Sequence, residues 1–117
     1  MNDRELFEQL RAGSVGFEPG TAAHDVFLER MRQQLVEGFG PQRDDGYTQN
    51  ELVRAAVCYA YPPPGGYLES PWPWDMSWWK PTTRRRDLVK AAALLLAEIE
   101  RIDRKERRAG SATGGAA

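Results

Sequence analysis

The clearest periodicity in the chain lies toward its C-terminal end, where Leu88, Ala92, Leu95, Ile99 and Ile102 recur at alternating spacings of four and three, flanked by Val89 and Leu96. A helix turns once in about 3.6 residues, so the pattern lays one apolar stripe along one face. It predicts a helix over about residues 83–107 that serves as the spine of the fold. A second stripe, Val26, Phe27, Met31 and Leu35, follows the capping residue Thr21 and stops before Gly38, which predicts a helix over about 22–37. Leu52, Ala55, Ala56 and Tyr59 mark a third, over about 48–60. Thr48-Gln49-Asn50-Glu51 has the spacing of a capping box at its start, and Pro62-Pro63-Pro64 must end it, because proline has no amide hydrogen to donate. Leu6, Phe7 and Leu10 after Asn2 or Asp3 predict a short N-terminal amphipathic helix. No run alternates with period two beyond four positions, although Tyr67-Leu68-Glu69 or Gly38-Phe39 leaves room for a short β-bridge. The expected fold is mainly α, a three-helix core.

Between the second and third core helices lies a polar turn, Arg43-Asp44-Asp45-Gly46-Tyr47. Between the third and the last, residues 61–81 hold six prolines and no helical period, so this stretch is expected to be an irregular loop laid over the helices. The same loop carries all four tryptophans, Trp72, Trp74, Trp78 and Trp79, with Lys80 beside them and Arg84, Arg85 and Arg86 just beyond. A glycine-rich connector spans 12–20, and the Ala/Gly/Ser tail at 109–117 has too little apolar surface to fold by itself. The expected organisation is an N-terminal helix and linker over 1–20, one helical domain over 21–108 and a disordered tail over 109–117.

Composition narrows the chemistry. With 16 Lys and Arg against 17 Asp and Glu in 117 residues, the net charge of −1 argues against a protein that coats nucleic acid through its overall field, so any anion site must be local. One cysteine, Cys58, excludes an intramolecular disulfide, and with one histidine, His24, the chain lacks the ligands of a structural zinc site; neither metal nor cofactor is expected. Cys58 reads as buried and inert for want of an activating base, and His24 as a surface or capping residue. No segment approaches the roughly 20 apolar residues of a membrane span, and Met1 to Leu10 are charged, so the chain reads as soluble and cytosolic.

Four indoles between prolines make either a wall that seals a small core or a floor on which a planar ring stacks. Trp72 and Trp74, between prolines and far from the basic turn, suit the wall; Trp78 and Trp79, beside Lys80, suit the floor. Lys80, Arg84 and Arg86 would then meet phosphates near the start of the last helix, where free amides favour anions. Three consecutive arginines point about 100° apart, however, and cannot all reach one ligand. Asp44 and Asp45 can either accept hydrogen bonds from sugar hydroxyls or order their own turn. Glu98, Glu100, Asp103 and Glu106, with Glu29, Glu37 and Glu51, raise the alternative of a helical magnesium site, but Glu98 and Glu100 are two apart and point to different faces. Glu100 to Arg104 and Asp103 to Arg107 have the spacing of ordinary helical ion pairs. No catalytic residue is assigned.

The motifs Glu37-Gly38-Phe39, Arg43-Asp44-Asp45, Trp72-Pro73-Trp74, Trp79-Lys80-Pro81, Arg86-Asp87-Leu88-Val89-Lys90-Ala91 and Ala97-Glu98-Ile99-Glu100-Arg101 together resemble a family of small phage and prophage proteins, over about residues 26–104. Their order is also similar to that of the ryanodine-receptor repeat domain and its bacterial and viral relatives. The second resemblance implies a mostly helical fold with a groove for adenine nucleotides and contacts near Phe39, Arg43, Asp44, Asp45, Trp79 and Lys80. Phe39 stands where those domains carry tryptophan, and the proline-rich insertion is extra. Together with Tyr47, Trp78, Arg84 and Arg86, these residues form the candidate ligand site. The expected function is that of a phage-type protein sequestering a nucleotide or cyclic-nucleotide signal of host defence, ADP-ribose-like, without turnover. The alternatives are a protein–protein interaction module using the tryptophan loop, and a magnesium-dependent nucleotide pyrophosphatase. A second copy of the chain is a further candidate partner.

Overall fold

A computed structural model describes residues 1–11, 18–38, 40–62 and 72–115. The chain is mainly helical: α1 (Asp3–Arg11), α2 (Ala22–Leu35), the single turn α3 (Pro41–Asp44), α4 (Glu51–Ala60), a 3-10 turn (Met76–Trp78) and α5 (Arg84–Gly115). Among the described residues there is no strand. Residues 67–69 and Phe39, where the sequence leaves room for a bridge, lie outside the described residues. Among the described residues, no helix is long and apolar enough to cross a membrane.

Local chemistry accounts for most helix ends. The Asn2 side chain accepts from the Glu5 amide at 2.9 Å and caps α1, whose Leu6 and Phe7 remain exposed. Helix α2 stops at Leu35, two residues short of expectation, and the chain turns away through Gly38 at φ +76°, a left-handed conformation that glycine adopts without cost. Helix α4 opens at Glu51, with Asn50 at φ +60° in the cap position in place of Thr48. Glu51 still plays part of its expected role, accepting from the Gln49 amide at 2.5 Å. At the start of α5, Thr83 Oγ1 accepts from the Arg86 amide at 3.1 Å and Asp87 accepts from the Thr82 amide at 2.8 Å. The helix continues through Gly115, into the segment expected to be disordered. Extending an already nucleated helix adds one hydrogen bond per residue without a second nucleation cost, which here offsets the poor propensity of Gly110, Gly114 and Gly115.

Helices α2, α3 and α4 all pack on α5. The core gathers Leu52, Ala55, Ala56, Cys58 and Tyr59 from α4, Trp72 from the loop and Ala91, Leu94 and Ala97 from α5. The expected stripe of α5 is not part of it. Leu88, Leu95, Ile99 and Ile102 face outward, Ile99 at 54% exposure, while the small residues Ala91, Ala93 and Ala97 are buried. Small side chains let neighbouring helices approach closely, so the alanine face is the one that packs. Helix α2 is reversed in the same sense: Phe27, Met31 and Leu35 are exposed, and Glu29, Arg30 and Gln33 are buried.

Those buried charges are paired. Arg30 joins three helices, donating to Asp44 of α3 at 3.0 Å and to Glu100 of α5 at 2.9 Å. Asp45 accepts from Arg104 at 3.0 Å and from Arg108 at 2.9 Å, both on α5. The expected i,i+4 pair of Glu100 with Arg104 is therefore replaced by two contacts between elements. Partners brought close by tertiary packing, with buried geometry, outcompete an exposed pair on one helix surface.

Candidate ligand cleft

A cleft of about 380 Å³ opens between α2, the tryptophan loop and the first half of α5. That is within the roughly 300–1,000 Å³ typical of small-molecule sites. Its lining comes from α2 (Glu29, Arg32, Gln33 and the following Glu37), from Tyr59 of α4, from the loop (Trp72, Trp74, Trp78, Lys80, Thr82) and from α5 (Arg86, Lys90, Leu94). One side is aromatic and the other carries charge.

The aromatic side is rigid because its rings pack on one another. Trp72, 7% exposed, is the hub: its ring lies edge-on to Tyr59 at 5.8 Å, to Trp74 at 5.5 Å and to Trp79 at 5.0 Å. Its indole N–H donates to the Asp75 carbonyl at 3.1 Å. Trp79 lies against Tyr59 at 4.6 Å and is not among the cleft residues. Trp74 packs on Tyr47 at 5.3 Å. The Tyr59 hydroxyl accepts from the Lys80 amide at 3.2 Å and lies 3.5 Å from the Trp78 carbonyl, tying α4 to the loop. Burial pushes the Tyr59 phenol above its ordinary pKa, with the Lys80 amide opposing, so it stays neutral at physiological pH.

The charged side is organised around Glu29. Its fully buried carboxylate accepts two hydrogen bonds from Arg32, at 2.7 and 2.8 Å, one from Arg86 and one from Gln33 at 3.2 Å. Burial alone would raise its pKa, but the hydrogen bond and charge of Arg32, with help from Arg86 and Gln33, prevail and hold it below the ordinary carboxylate value. Arg32 also donates to Glu37 at 3.0 Å. Lys90, nearly buried, donates to the Lys80 carbonyl and stands 5.4 Å from the Tyr59 ring centre. Burial lowers the pKa of Lys90, against the opposing charge of Asp87. Lys80 Nζ lies 5.7 Å from the Trp78 ring centre. Four cations, Arg32, Lys80, Arg86 and Lys90, set against two carboxylates, Glu29 and Glu37, give the lining a net charge of +2 in a chain whose total is −1.

Of the residues singled out in the sequence, Trp78, Lys80 and Arg86 line this cleft. Arg43 stands beside it, its guanidinium 5.3 Å from the Trp78 ring centre, donating to the Tyr47 hydroxyl at 2.9 Å and to the Glu37 carbonyl. Tyr47 backs Trp74 and does not line the cleft. Asp44 is fully buried against Arg30, and Asp45 is held by Arg104 and Arg108; both order the fold, and neither lines the cleft. The three arginines diverge as the 100° rule requires: Arg84 donates to the Ala60 carbonyl, Arg85 to Asp25 at 2.8 Å, and Arg86 turns to Glu29. Phe39 lies outside the described residues. Glu98 bonds Arg101, and no group of three metal-ligating side chains forms among the described residues. Cys58 is buried, and desolvation raises its thiol pKa.

Glu29 and Glu37 stand in the sequence only as carboxylates of the magnesium alternative, and Arg32, Gln33, Thr82 and Lys90 carry no site role there. One signal was present: Glu29, Arg32, Gln33 and Glu37 share one helical face by their spacings of three and four. A polar face is ordinarily assigned to solvent, and only packing turns this one inward. Comparison of the chain with protein-family models, with curated proteins and with solved structures finds no match.

Proposed function

We propose that the cleft binds a small planar anion of the nucleotide class and that the protein acts by binding it without turnover. One observation carries the reading: three indoles and Tyr59 line the same 380 Å³ cleft as a local excess of four cations over two carboxylates. Indole faces accept planar rings, and lysine and guanidinium groups match phosphate oxygens. Trp74 and Trp78 are the half-exposed rings of the lining, so the ring of the ligand lies on them, and its phosphates reach Lys80, Lys90 and Arg86. The state of Glu29 supports binding without turnover: its carboxylate is engaged by Arg32, Arg86 and Gln33 and its pKa is lowered, which makes it a weak proton acceptor. The resemblance to phage proteins supplies the setting, capture of an ADP-ribose-like or cyclic-nucleotide signal of host defence.

All four tryptophans lie in or behind this wall, so their fluorescence reports occupancy. Titration with ADP-ribose isomers, cyclic dinucleotides and ATP, followed by fluorescence and calorimetry, is expected to give saturable quenching with at least one of them. The ligand should be recovered intact by chromatography. No response to any of the panel at millimolar concentration would overturn the proposal.

A further inference from the structure

The outward stripe of α5 makes no use of its most apolar residues. Leu88, Leu95, Leu96, Ile99 and Ile102 are 38–54% exposed, extend about 21 Å along the helix at 1.5 Å per residue, and have no charged residue among them on that stripe. Together they leave on the order of 400 Å² of apolar surface, a size at which a patch on a monomer usually has a role. It points away from the cleft, whose α5 residues Arg86, Lys90 and Leu94 lie on the opposite side of the helix.

The ends of the stripe say what covers it. Continued by three residues toward the N-terminus the same spacing reaches Arg85, and continued by four toward the C-terminus it reaches Glu106, with Asp103 one position from Ile102. The row therefore reads basic, apolar, acidic, and it is symmetric about Leu95. We propose that two copies of the chain pair through this face, with their α5 helices antiparallel and a two-fold axis close to Leu95. Antiparallel pairing sets Leu88 near Ile102 and Ala92 near Ile99 of the second copy. It brings each Arg85 within a turn of Asp103 and Glu106 of the other. A parallel pair would set Arg85 against Arg85 and Glu106 against Glu106. With the stems of these charged residues included, the two copies bury roughly 1,000 Å² in total, the lower bound for a specific interface. Arg85 is 59% exposed at its side chain even while bound to Asp25, so its remaining N–H groups can also donate to the second copy's carboxylates.

Sedimentation of the full chain over a dilution series from micromolar to submillimolar tests this. The expected result is a reversible dimer. Leu95→Glu places like charges together at the axis and weakens the dimer by at least about a hundredfold. Because Leu95 is exposed in the single chain, helix content by circular dichroism should be unchanged. Arg85→Glu weakens the dimer by about tenfold, and Arg85→Glu with Glu106→Arg restores it. These positions are 21 residues apart on one continuous helix, about 31 Å, so the rescue cannot arise within one chain. A chain that is monomeric throughout, a dimer indifferent to Leu95→Glu, or a charge-swapped pair that fails to recover would each overturn the proposal.

Discussion

The two sides of α5 are built on opposite rules. The inner side packs on its neighbours with Ala91, Ala93, Leu94 and Ala97 and buries Asp87, Lys90 and Glu98, while the outer side shows Leu88, Leu95, Ile99 and Ile102 to solvent. Close packing of helices depends on shape more than on the hydrophobicity of each residue. Alanines bring α5 near α4 and α2, and the charges between them survive burial because each has a partner: Asp87 caps the helix, Lys90 meets a carbonyl, and Glu98 meets Arg101. Bulky aliphatics on that side would push the helices apart. On the outer side, where they stay 40–54% exposed, no such crowding arises.

Mutations that test the inner side should have the largest effects. Trp72→Ala removes the ring on which Tyr59, Trp74 and Trp79 rest and should cost about 3–5 kcal/mol in chemical denaturation. Arg30→Ala leaves Asp44 buried without its counter-charge, and a loss of similar size, about 3–5 kcal/mol, is expected. Ala97→Leu overpacks the alanine face and should cost about 1–3 kcal/mol, although it makes the chain more hydrophobic. If Ala97→Leu instead stabilised the fold, the comparison of the two sides would fail.

The next effects are smaller. Trp78→Ala, which removes a half-exposed ring, should alter stability little and lower affinity for a bound ring by about 1–3 kcal/mol, read by calorimetry with whichever nucleotide binds. For Glu29 the sign follows from its lowered pKa. Its contribution is fully present above pH 4.5, its ordinary value, and is lost as pH falls from there through the folded-state value. A denaturation series in acid should therefore show stability falling below pH 4.5, and part of that slope should be absent in Glu29→Gln. Least of all, Ile99→Ala on the outer side should change the stability of the dilute single chain by less than about 0.5 kcal/mol.

Helix positions were largely legible because the signals are local. Asn2 caps α1, Gly38 follows α2, and the helix before Pro62 ends at Ala60. The division of the indoles was legible only in part: Trp72 is core and Trp74 packs against it, as their place between prolines suggested, but both also line the cleft, and Trp79 is packed behind it. The choice between hydroxyl binding and turn ordering for Asp44 and Asp45 was not legible, because their partners Arg30, Arg104 and Arg108 lie 14 to 63 residues away. Glu29 was hidden for the same reason: among its partners, Arg86 is 57 residues away.

The sequence by itself determined that this protein is mainly helical, roughly where its main helices lie, and that its four tryptophans gather in one loop. Caps, proline stops and 3.6-residue spacing act within a few residues, so they can be read without knowing the fold. Which side of each helix turns inward was decided only by the tertiary structure. Periodicity shows that a helix has an apolar side, but shape fit and charge pairing across distant segments decide whether that side meets the core or remains for another molecule.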